Sequence, residues 1–206
     1  MSIYLACMHF YFSAASLTSP SPKPTPRFTC LDFETTSQHV ADARIVEAAV
    51  VDFTTNGDTN TTLHTRIDPC IPIPPDATRI HGIRDVDVVT APMPAATLPR
   101  LLHCITGTTL VGYNIEAYDL EVLRNECVRH GLLDAYDAAM CTIRVVDVMA
   151  WAQTMARYGQ RGLGQMCARF GVELGHAHSA VADATATGRL LLAMLRAGAV
   201  PLDALA

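Results

Sequence analysis

Residues 28–36 read FTCLDFETT, an apolar run that carries two carboxylates, Asp32 and Glu34, near its end. The run is typical of a short buried strand. Side chains two positions apart on a strand point to the same face, so we expect both carboxylates to project together. Two like charges so placed are unfavourable unless a cation neutralises them. Two acids at this spacing, taken alone, are also typical of a strand end whose carboxylates are solvated. Other motifs therefore have to decide between these interpretations.

Four more strand-like segments follow along the chain: 43–53 (ARIVEAAVVDF), 61–69 (TTLHTRIDP), 108–114 (TTLVGYN) and 138–146 (AAMCTIRVV). Asn56 and Gly57 lie between the first two of these segments. Asn-Gly is the strongest short signal for a tight hairpin, because such a turn needs positive φ. The first three strands are therefore predicted to be joined by hairpin connections.

Helices are predicted in four places: 98–107, 117–131, 163–171 and 180–198. Pro99 is tolerated in a first helical turn, and Gly131 is typical of a helix C-cap. The segment 71–85, IPIPPDATRIHGIRD, is rich in proline and is interpreted as a loop. Three hairpin-joined strands followed by alternating helices and strands predict an α/β domain. Its order favours a ribonuclease-H-like, mixed five-stranded sheet flanked by helices.

The composition excludes several classes of protein. With 50% hydrophobic and 17% charged residues, the 206-residue chain can bury enough apolar surface to fold, which excludes wholesale disorder. No apolar run reaches the roughly 20 residues that a membrane-spanning helix needs, so no membrane partner is expected. The formal net charge of −5 argues against binding of nucleic acid purely through positive charge. It does not argue against a nucleic-acid enzyme whose carboxylates hold metal ions.

The N-terminal 26 residues differ from the rest of the chain. Residues 1–17 are apolar and aromatic, and 19–26 (SPSPKPTP) have the closely spaced prolines of a linker. No Lys or Arg precedes the apolar stretch, so a signal peptide is not expected. We predict a poorly ordered extension over 1–26 and one folded domain over 27–206. The seven scattered cysteines, without a CxxC pair, predict reduced thiols and an intracellular location.

A second acidic motif lies in residues 110–123, LVGYNIEAYDLEVL. Asn114 is expected to end a strand and to cap the next helix through its side-chain oxygen. Asp119 then falls in the first turns of that helix. An acid near a helix N-terminus is also favoured by the helix dipole alone, so this motif is weak by itself.

A third motif pairs a histidine with an acid in residues 178–183, HSAVAD. Within one helix His178 and Asp183 would point about 140° apart, too far to share a site. We therefore expect His178 in the loop before the helix, with Ser179 near the cap, so that the ring can turn back towards Asp183. Alone, the motif is also typical of a capping region followed by a solvated acid.

Together, four acids and one histidine fall on strand one, on the helix after strand four and on the last helix. In these motifs the chain resembles the DEDDh 3′–5′ exonucleases, the DnaQ-like and RNase T-like enzymes. LDFETT corresponds to the first motif of that family, LVGYNIEAYDLEVL to the second and HSAVADATAT, with its HxxxxD spacing, to the third. The resemblance runs from about Phe28 to Arg196. Asp119 stands five residues after Asn114 where many relatives have four, a longer spacing similar to that of Trex-like enzymes.

The resemblance implies metal-dependent hydrolysis of phosphodiester bonds by a two-metal-ion mechanism. It implies that Asp32, Glu34 and Asp183 hold the ion that activates a water molecule. Asp32 and Asp119 would hold the second ion. His178 would be the general base, a task suited to a side chain that ordinarily titrates at about pH 6.5. Hard carboxylate oxygens favour Mg²⁺, for which Mn²⁺ can substitute.

The resemblance also implies contacts with the terminal nucleotide, from Phe33, Thr35, His81, Asn114 and Tyr118. Two of these have plainer interpretations, since Phe33 can belong to the core and His81 can simply close a turn. The implied substrate is a single-stranded or frayed DNA 3′ end, cut to nucleoside 5′-monophosphates in proofreading or repair, for which a polymerase partner is an open expectation. An exoribonuclease similar to RNase T or oligoribonuclease is one alternative, because contacts to the 2′-OH cannot be read from motifs. A non-catalytic nucleic-acid-binding module on the same fold is the other.

Overall fold

Five strands form one mixed sheet in the order β3-β2-β1-β4-β5. We describe residues 27–155, 160–175 and 178–205 of a computed structural model, so the proposed extension over 1–26 lies outside the described residues. The strands are β1 (Arg27–Thr35), β2 (Ile45–Thr54), β3 (Thr59–Arg66), β4 (Thr109–Gly112) and β5 (Arg144–Asp147). β1, β2 and β3 pair antiparallel, whereas β4 is parallel to β1 and β5 to β4. The predicted mixed five-stranded α/β fold is confirmed.

Helices cover both faces of this sheet. They are α1 (Pro75–His81), α2 (Asp85–Val88), α3 (Pro94–Ile105), α4 (Asp119–Arg129), α5 (Leu133–Met140), α6 (Val148–Met155), α7 (Leu163–Phe170) and α8 (Ala180–Arg196). One core forms between the sheet and α6, α7 and α8, and a second between the sheet and α3, α4 and α5. Among the described residues, no helix is long and apolar enough to cross a bilayer.

The alternation of β1 decides which face of the sheet receives the acids. Phe28 and Cys30 lie in the core beneath α8, whereas Leu31 and Phe33 lie in the core beneath α3 and α4. Because successive side chains on a strand point to opposite faces, the acids two and four positions after Cys30 share its face. β1 therefore presents its carboxylates to the side on which α8 packs.

The proline-rich segment 71–85 was expected to be a loop, and this prediction is wrong. It contains α1 and the start of α2. Pro75 occupies the first helical positions of α1, where a missing N–H has no intrahelical partner to lose. Gly82 then ends α1 with a left-handed φ of 75°. Proline here starts a helix instead of preventing one.

Two other element boundaries also differ from the prediction. α3 begins at Pro94, so Pro99 lies inside the helix, not in its first turn. The buried apolar face of α3 offsets the lost backbone bond, since its leucines and Ile105 are fully packed. The fifth strand starts at Arg144 because residues 138–140 belong to the end of α5, a helix that was not predicted.

α8 approaches the sheet closely at Gly188, which lies over Phe53 of β2. A Cβ on Gly188 would stand 2.4 Å from the Phe53 ring, and that ring is itself stacked on Phe28. We expect Gly188→Ala to destabilise the protein by about 1–3 kcal/mol, because overpacking outweighs the gain in helix propensity. Thermal denaturation measures this. Gly164→Ala in α7 is the matched control: its Cβ would meet Leu174 at an ordinary 3.6 Å, so a stability equal to or above wild type is expected. Equal stability of both variants would contradict the close approach.

Candidate active site

Three carboxylates from two elements meet above the end of β1. Asp32 and Glu34 project from β1, and Asp183 projects from the first turn of α8. One carboxylate oxygen from each lies within 4.8 Å of the others. Residues separated by about 150 positions in sequence are thus brought together because the last helix packs on the first strand. Three oxygens so close can share one cation.

Asp119 joins this group from the other side of β1. It is the first residue of α4, is only 4% exposed, and its Oδ1 accepts a hydrogen bond from the backbone N–H of Phe33 at 3.2 Å. Phe33 stands between Asp32 and Glu34, so this bond ties Asp119 to the acidic stretch of β1. Charge on Asp119 raises the pKa of Asp32, second only to burial as a cause. All four predicted acids therefore belong to one electrostatic cluster.

Ionisation of the acids in this cluster is unfavourable, and their pKa values are raised. Burial, followed by the charge of Asp183, raises the pKa of Glu34 to about 8. Burial likewise raises the pKa of Asp119 to about 8, although the N–H of Phe33 stabilises its charged form. Burial also raises the pKa of Asp183. The acids paired with Arg44, Arg66, Arg79, Arg84 and Arg129 all lie outside this group of four.

A set of buried and half-buried carboxylates that repel one another fits a divalent cation. Hard oxygen ligands match Mg²⁺, Mn²⁺ or Ca²⁺ better than softer metals, and a cation reverses the repulsion that raises these pKa values. Asp32, Glu34 and Asp183 have the spacing to hold one ion. Asp119 is not one of these three acids, but it contacts the same strand through the Phe33 N–H.

His178 lies in the loop before α8, as expected. Ser179 is the N-cap residue, and His178 has a left-handed φ of 64°. Its backbone N–H donates to Oδ2 of Asp183 at 3.1 Å. Its side chain is exposed to solvent, close enough to Asp183 and His81 for a positive charge on its ring to lower the pKa of both. The imidazole thus stands at the open side of the acidic cluster, and its role as base stays a prediction.

A cleft of about 730 Å³ opens beside the acids, and four of the five predicted nucleotide-contacting residues line it: Phe33, Thr35, His81 and Tyr118. Phe33 is 6% exposed, so most of its ring belongs to the core. Tyr118 donates its hydroxyl to the carbonyl of Ser37 at 2.5 Å and also contacts the Thr35 hydroxyl. The two polar residues on this wall are thereby held together.

His81 has both a structural contact and an unused nitrogen. Its Nδ1 accepts the backbone N–H of Ile83 at 3.0 Å, so it does close the turn after α1. Burial lowers its pKa, which favours the neutral ring. Its Nε2 is buried and has no hydrogen-bond partner among the described residues. A neutral ring with an unsatisfied nitrogen beside a cleft is suited to a ligand contact.

Asn114 does not cap α4, contrary to the prediction, since Tyr118 occupies the N-cap position. Asn114 instead takes a left-handed φ of 64° and donates its backbone N–H to Oδ1 of Asp147 at 2.9 Å. The same oxygen accepts the N–H of Met149. Asparagine tolerates this backbone conformation better than most residues, which explains its place in the turn. It is not among the residues that line the cleft.

Sequence reasoning missed one buried acid next to the cluster, Glu47 of β2. It is the register partner of Glu34 and is 5% exposed. Its Oε2 accepts the backbone N–H of Ala180 at 2.9 Å, and its Oε1 lies 3.1 Å from Nε2 of His64. The available signal was a single acid inside the otherwise apolar run IVEAAVV. An acid at a buried strand position indicates a specific partner, because an unpaired buried charge is costly.

The chain is similar in sequence to bacterial DNA polymerases and in fold to a solved exonuclease. The chain is 29% identical over 170 residues to a PolC-type DNA polymerase III of Streptococcus agalactiae, and 33% identical over 131 residues to that of Streptococcus mutans. These matches cover 82% and 63% of this chain but only 11% and 8% of the polymerases. Escherichia coli exonuclease I in complex with a dT13 oligonucleotide superposes with a TM-score of 0.71 at 21% identity. That match covers 82% of this chain and 41% of exonuclease I.

The chain thus spans about a tenth of the length of the polymerases it matches and about two fifths of exonuclease I. The solved structures share its fold. The model of the RNase T family, described as an exonuclease, matches residues 29–191, which contain all four acids and His178. The chain therefore belongs to the DnaQ-like exonuclease family that its three acidic motifs predict.

Proposed function

We propose that this protein is a 3′–5′ exonuclease that removes nucleoside 5′-monophosphates from single-stranded or frayed DNA 3′ ends. The observation that supports it most is the convergence of Asp32, Glu34 and Asp183 within 4.8 Å, with Asp119 bonded to the same strand. A non-catalytic module on this fold has no need to retain a costly cluster of buried acids. The complete set therefore favours an enzyme.

We assign a separate role in the reaction to each side chain of the site. When bound, two Mg²⁺ ions supply activation of a water molecule and stabilisation of the leaving 3′-oxygen. Asp32, Glu34 and Asp183 are the ligands we assign to the first ion, and Asp32 with Asp119 to the second. His178 accepts the proton that the attacking water loses, since it is the exposed base next to Asp183. Its position outside the cluster lets the proton pass on to solvent.

The cleft is suited to an unpaired terminal nucleotide. Its wall combines the Phe33 ring edge with Ile80, which is 43% exposed, and Ile71, which is 41% exposed. Apolar surface beside a charged site provides a face on which a base can stack. The polar side of the cleft, at Thr35 and Tyr118, lies towards the acids. A splayed single strand can reach both sides, whereas a paired end must first fray.

The relatives support DNA as the substrate. Exonuclease I of Escherichia coli has been captured with dT13 and dA16 oligonucleotides, and the PolC-type relatives are DNA polymerases. A proofreading role beside a polymerase is consistent with the second group. An RNA 3′ end is the alternative substrate. The Nε2 of His81 is buried without a hydrogen-bond partner among the described residues. Because Nδ1 accepts the Ile83 N–H, Nε2 carries the proton of the neutral ring and offers a donor to either sugar.

We expect 5′-labelled single-stranded DNA to be shortened stepwise from its 3′ end in Mg²⁺, faster than duplex DNA and faster than RNA of the same sequence. Mn²⁺ should also support the reaction, and EDTA should abolish it, because the carboxylates need a cation to act together. The 3′-labelled strands should release labelled mononucleotide as the first product. Faster shortening of RNA would establish the exoribonuclease alternative. Binding without cleavage of any substrate would establish the non-catalytic one.

A further inference from the structure

The first turn of α8 is capped by another element of the fold. Ser179 occupies the N-cap position but makes no side-chain capping bond. The exposed N–H groups at a helix start need acceptors, and a side chain at the cap normally supplies one. Here the N–H of Ala180, the first residue of α8, is donated to Oε2 of Glu47 at 2.9 Å in the buried interior. A carboxylate of β2 therefore replaces the missing local cap.

Glu47 is held firmly in this role. It lies on the inner strand β2, opposite Glu34, and is 5% exposed. Its second oxygen, Oε1, lies 3.1 Å from Nε2 of His64 and 4.0 Å from Nε of Arg66, both on β3. One oxygen is thus anchored by the edge strand and the other faces α8. The positive end of the helix dipole adds to this attraction.

Ala180 lies between the two residues of the third motif. His178 stands two positions before it and Asp183 three positions after it. The His178 N–H is itself bonded to Asp183, so the segment 178–183 forms one closed turn. Fixing the N–H of Ala180 fixes this turn relative to the sheet, and therefore relative to the acids of β1.

We propose that Glu47 is a positioning residue of the active site: by bonding the first N–H of α8 it sets His178 and Asp183 against Asp32 and Glu34. The inference rests on the roles proposed above for His178 and Asp183. Glu47 itself lies outside the group of oxygens that can share a cation. Its effect on hydrolysis passes through the helix it caps.

Three variants separate positioning from charge. Glu47→Ala removes the acceptor, and kcat should fall by about 10–100-fold with KM within about twofold, a loss typical of groups that orient metal ligands. Glu47→Gln keeps an oxygen for Ala180, and its amide NH₂ can donate to His64, so kcat should stay within about threefold of wild type. Asp52→Asn is the control: Asp52 also lies on β2 and bonds Thr29 and Thr62 on its neighbours, but not α8. Its kcat should be unchanged.

Hydrogen exchange of the Ala180 amide tests the bond without activity. By NMR at a pH where all variants are folded, this amide should exchange at least about tenfold faster in Glu47→Ala than in wild type, and equally slowly in Glu47→Gln and Asp52→Asn. Unchanged protection or unchanged kcat in folded Glu47→Ala would overturn the proposal. An equal loss of kcat in Glu47→Gln and Glu47→Ala would also overturn it, because the effect would then come from the lost charge and not from the lost hydrogen bond. If wild type cuts no substrate, the proposed function fails while the exchange measurement still decides whether Glu47 holds α8.

Discussion

Asp32→Asn is expected to reduce hydrolysis by at least about 10³-fold while the protein stays folded. Asp32 is the acid at the centre of the cluster, next to the Phe33 N–H that binds Asp119 and within reach of Glu34 and Asp183. It is the one carboxylate assigned to both cations. Asparagine keeps the shape of the aspartate side chain but lacks the negative charge that both ions require. Rates on 5′-labelled single-stranded DNA in Mg²⁺ measure the loss, and the exposed Asp137→Asn serves as the control with wild-type rate.

The same variant should be more stable than wild type when no metal is present. The pKa values of Glu34 and Asp119 rise to about 8 on folding, and the pKa of Asp32 is also raised. The folded state therefore binds more protons than the unfolded chain, so the stability of metal-free wild type falls as pH rises from about 4.5 to about 8. Asp32→Asn relieves part of this repulsion, worth about 1–2 kcal/mol at pH 8.

Thermal denaturation in EDTA between pH 5 and pH 8 measures this gain. The difference between variant and wild type should shrink towards pH 5, where Glu34 and Asp119 are protonated in the folded state. Added Mg²⁺ should raise the melting temperature of wild type more than that of the variant. Hydrolysis at the wild-type rate would remove Asp32 from the site. If Asp32→Asn is less stable than wild type in EDTA at pH 8, the acids of the metal-free site do not destabilise the fold by repelling one another.

His178→Asn should lower kcat by about 10²–10⁴-fold, the usual contribution of a general base. Asparagine is chosen because His178 has a φ of 64°, a conformation that asparagine tolerates and alanine does not. The N–H bond to Asp183 is a backbone contact and survives the change, so metal-dependent stabilisation should be retained. Single-turnover rates separate this loss from weaker binding.

The control for this variant is His103→Ala, an exposed histidine on α3 outside the cleft, which should cut at the wild-type rate. A His178→Asn protein with unchanged kcat would show that another group takes the proton. A protein that no longer gains stability from Mg²⁺ would show that the substitution disturbs the metal ligands, and the histidine would then be a structural residue.

Much of the fold follows from local pattern. The alternation in FTCLDFETT gives both the strand and the shared face of Asp32 and Glu34, and Asn56-Gly57 marks the hairpin between β2 and β3. The angle of about 140° that one helix would impose between His178 and Asp183 also placed His178 before α8. These features depend on neighbours in sequence, such as the period of a strand or the φ of a turn, and for that reason one chain is enough to predict them.

The features that were predicted wrongly or not at all depend on contacts in the tertiary structure. The prolines of 71–85 predict a loop unless their position in the first helical turn is known. The buried residues of α5, Tyr136 and Ala139, pack against α3 and α4 in the tertiary structure, which the local pattern of 133–140 does not show. Asn114 was assigned a capping role that its bond to Asp147 replaces. The partner of Glu47 is 133 positions away, and no local pattern indicates it.

The packing of α8 on β1 has a consequence for biosynthesis. A nascent chain that has emerged from the ribosome as far as residue 160 already holds β1, α4 and three of the four acids, but neither Asp183 nor His178. The proposed hydrolysis therefore cannot begin until the last helix is made and docked. The growing chain stays inactive, and nuclease chemistry starts only when synthesis of the domain is almost complete.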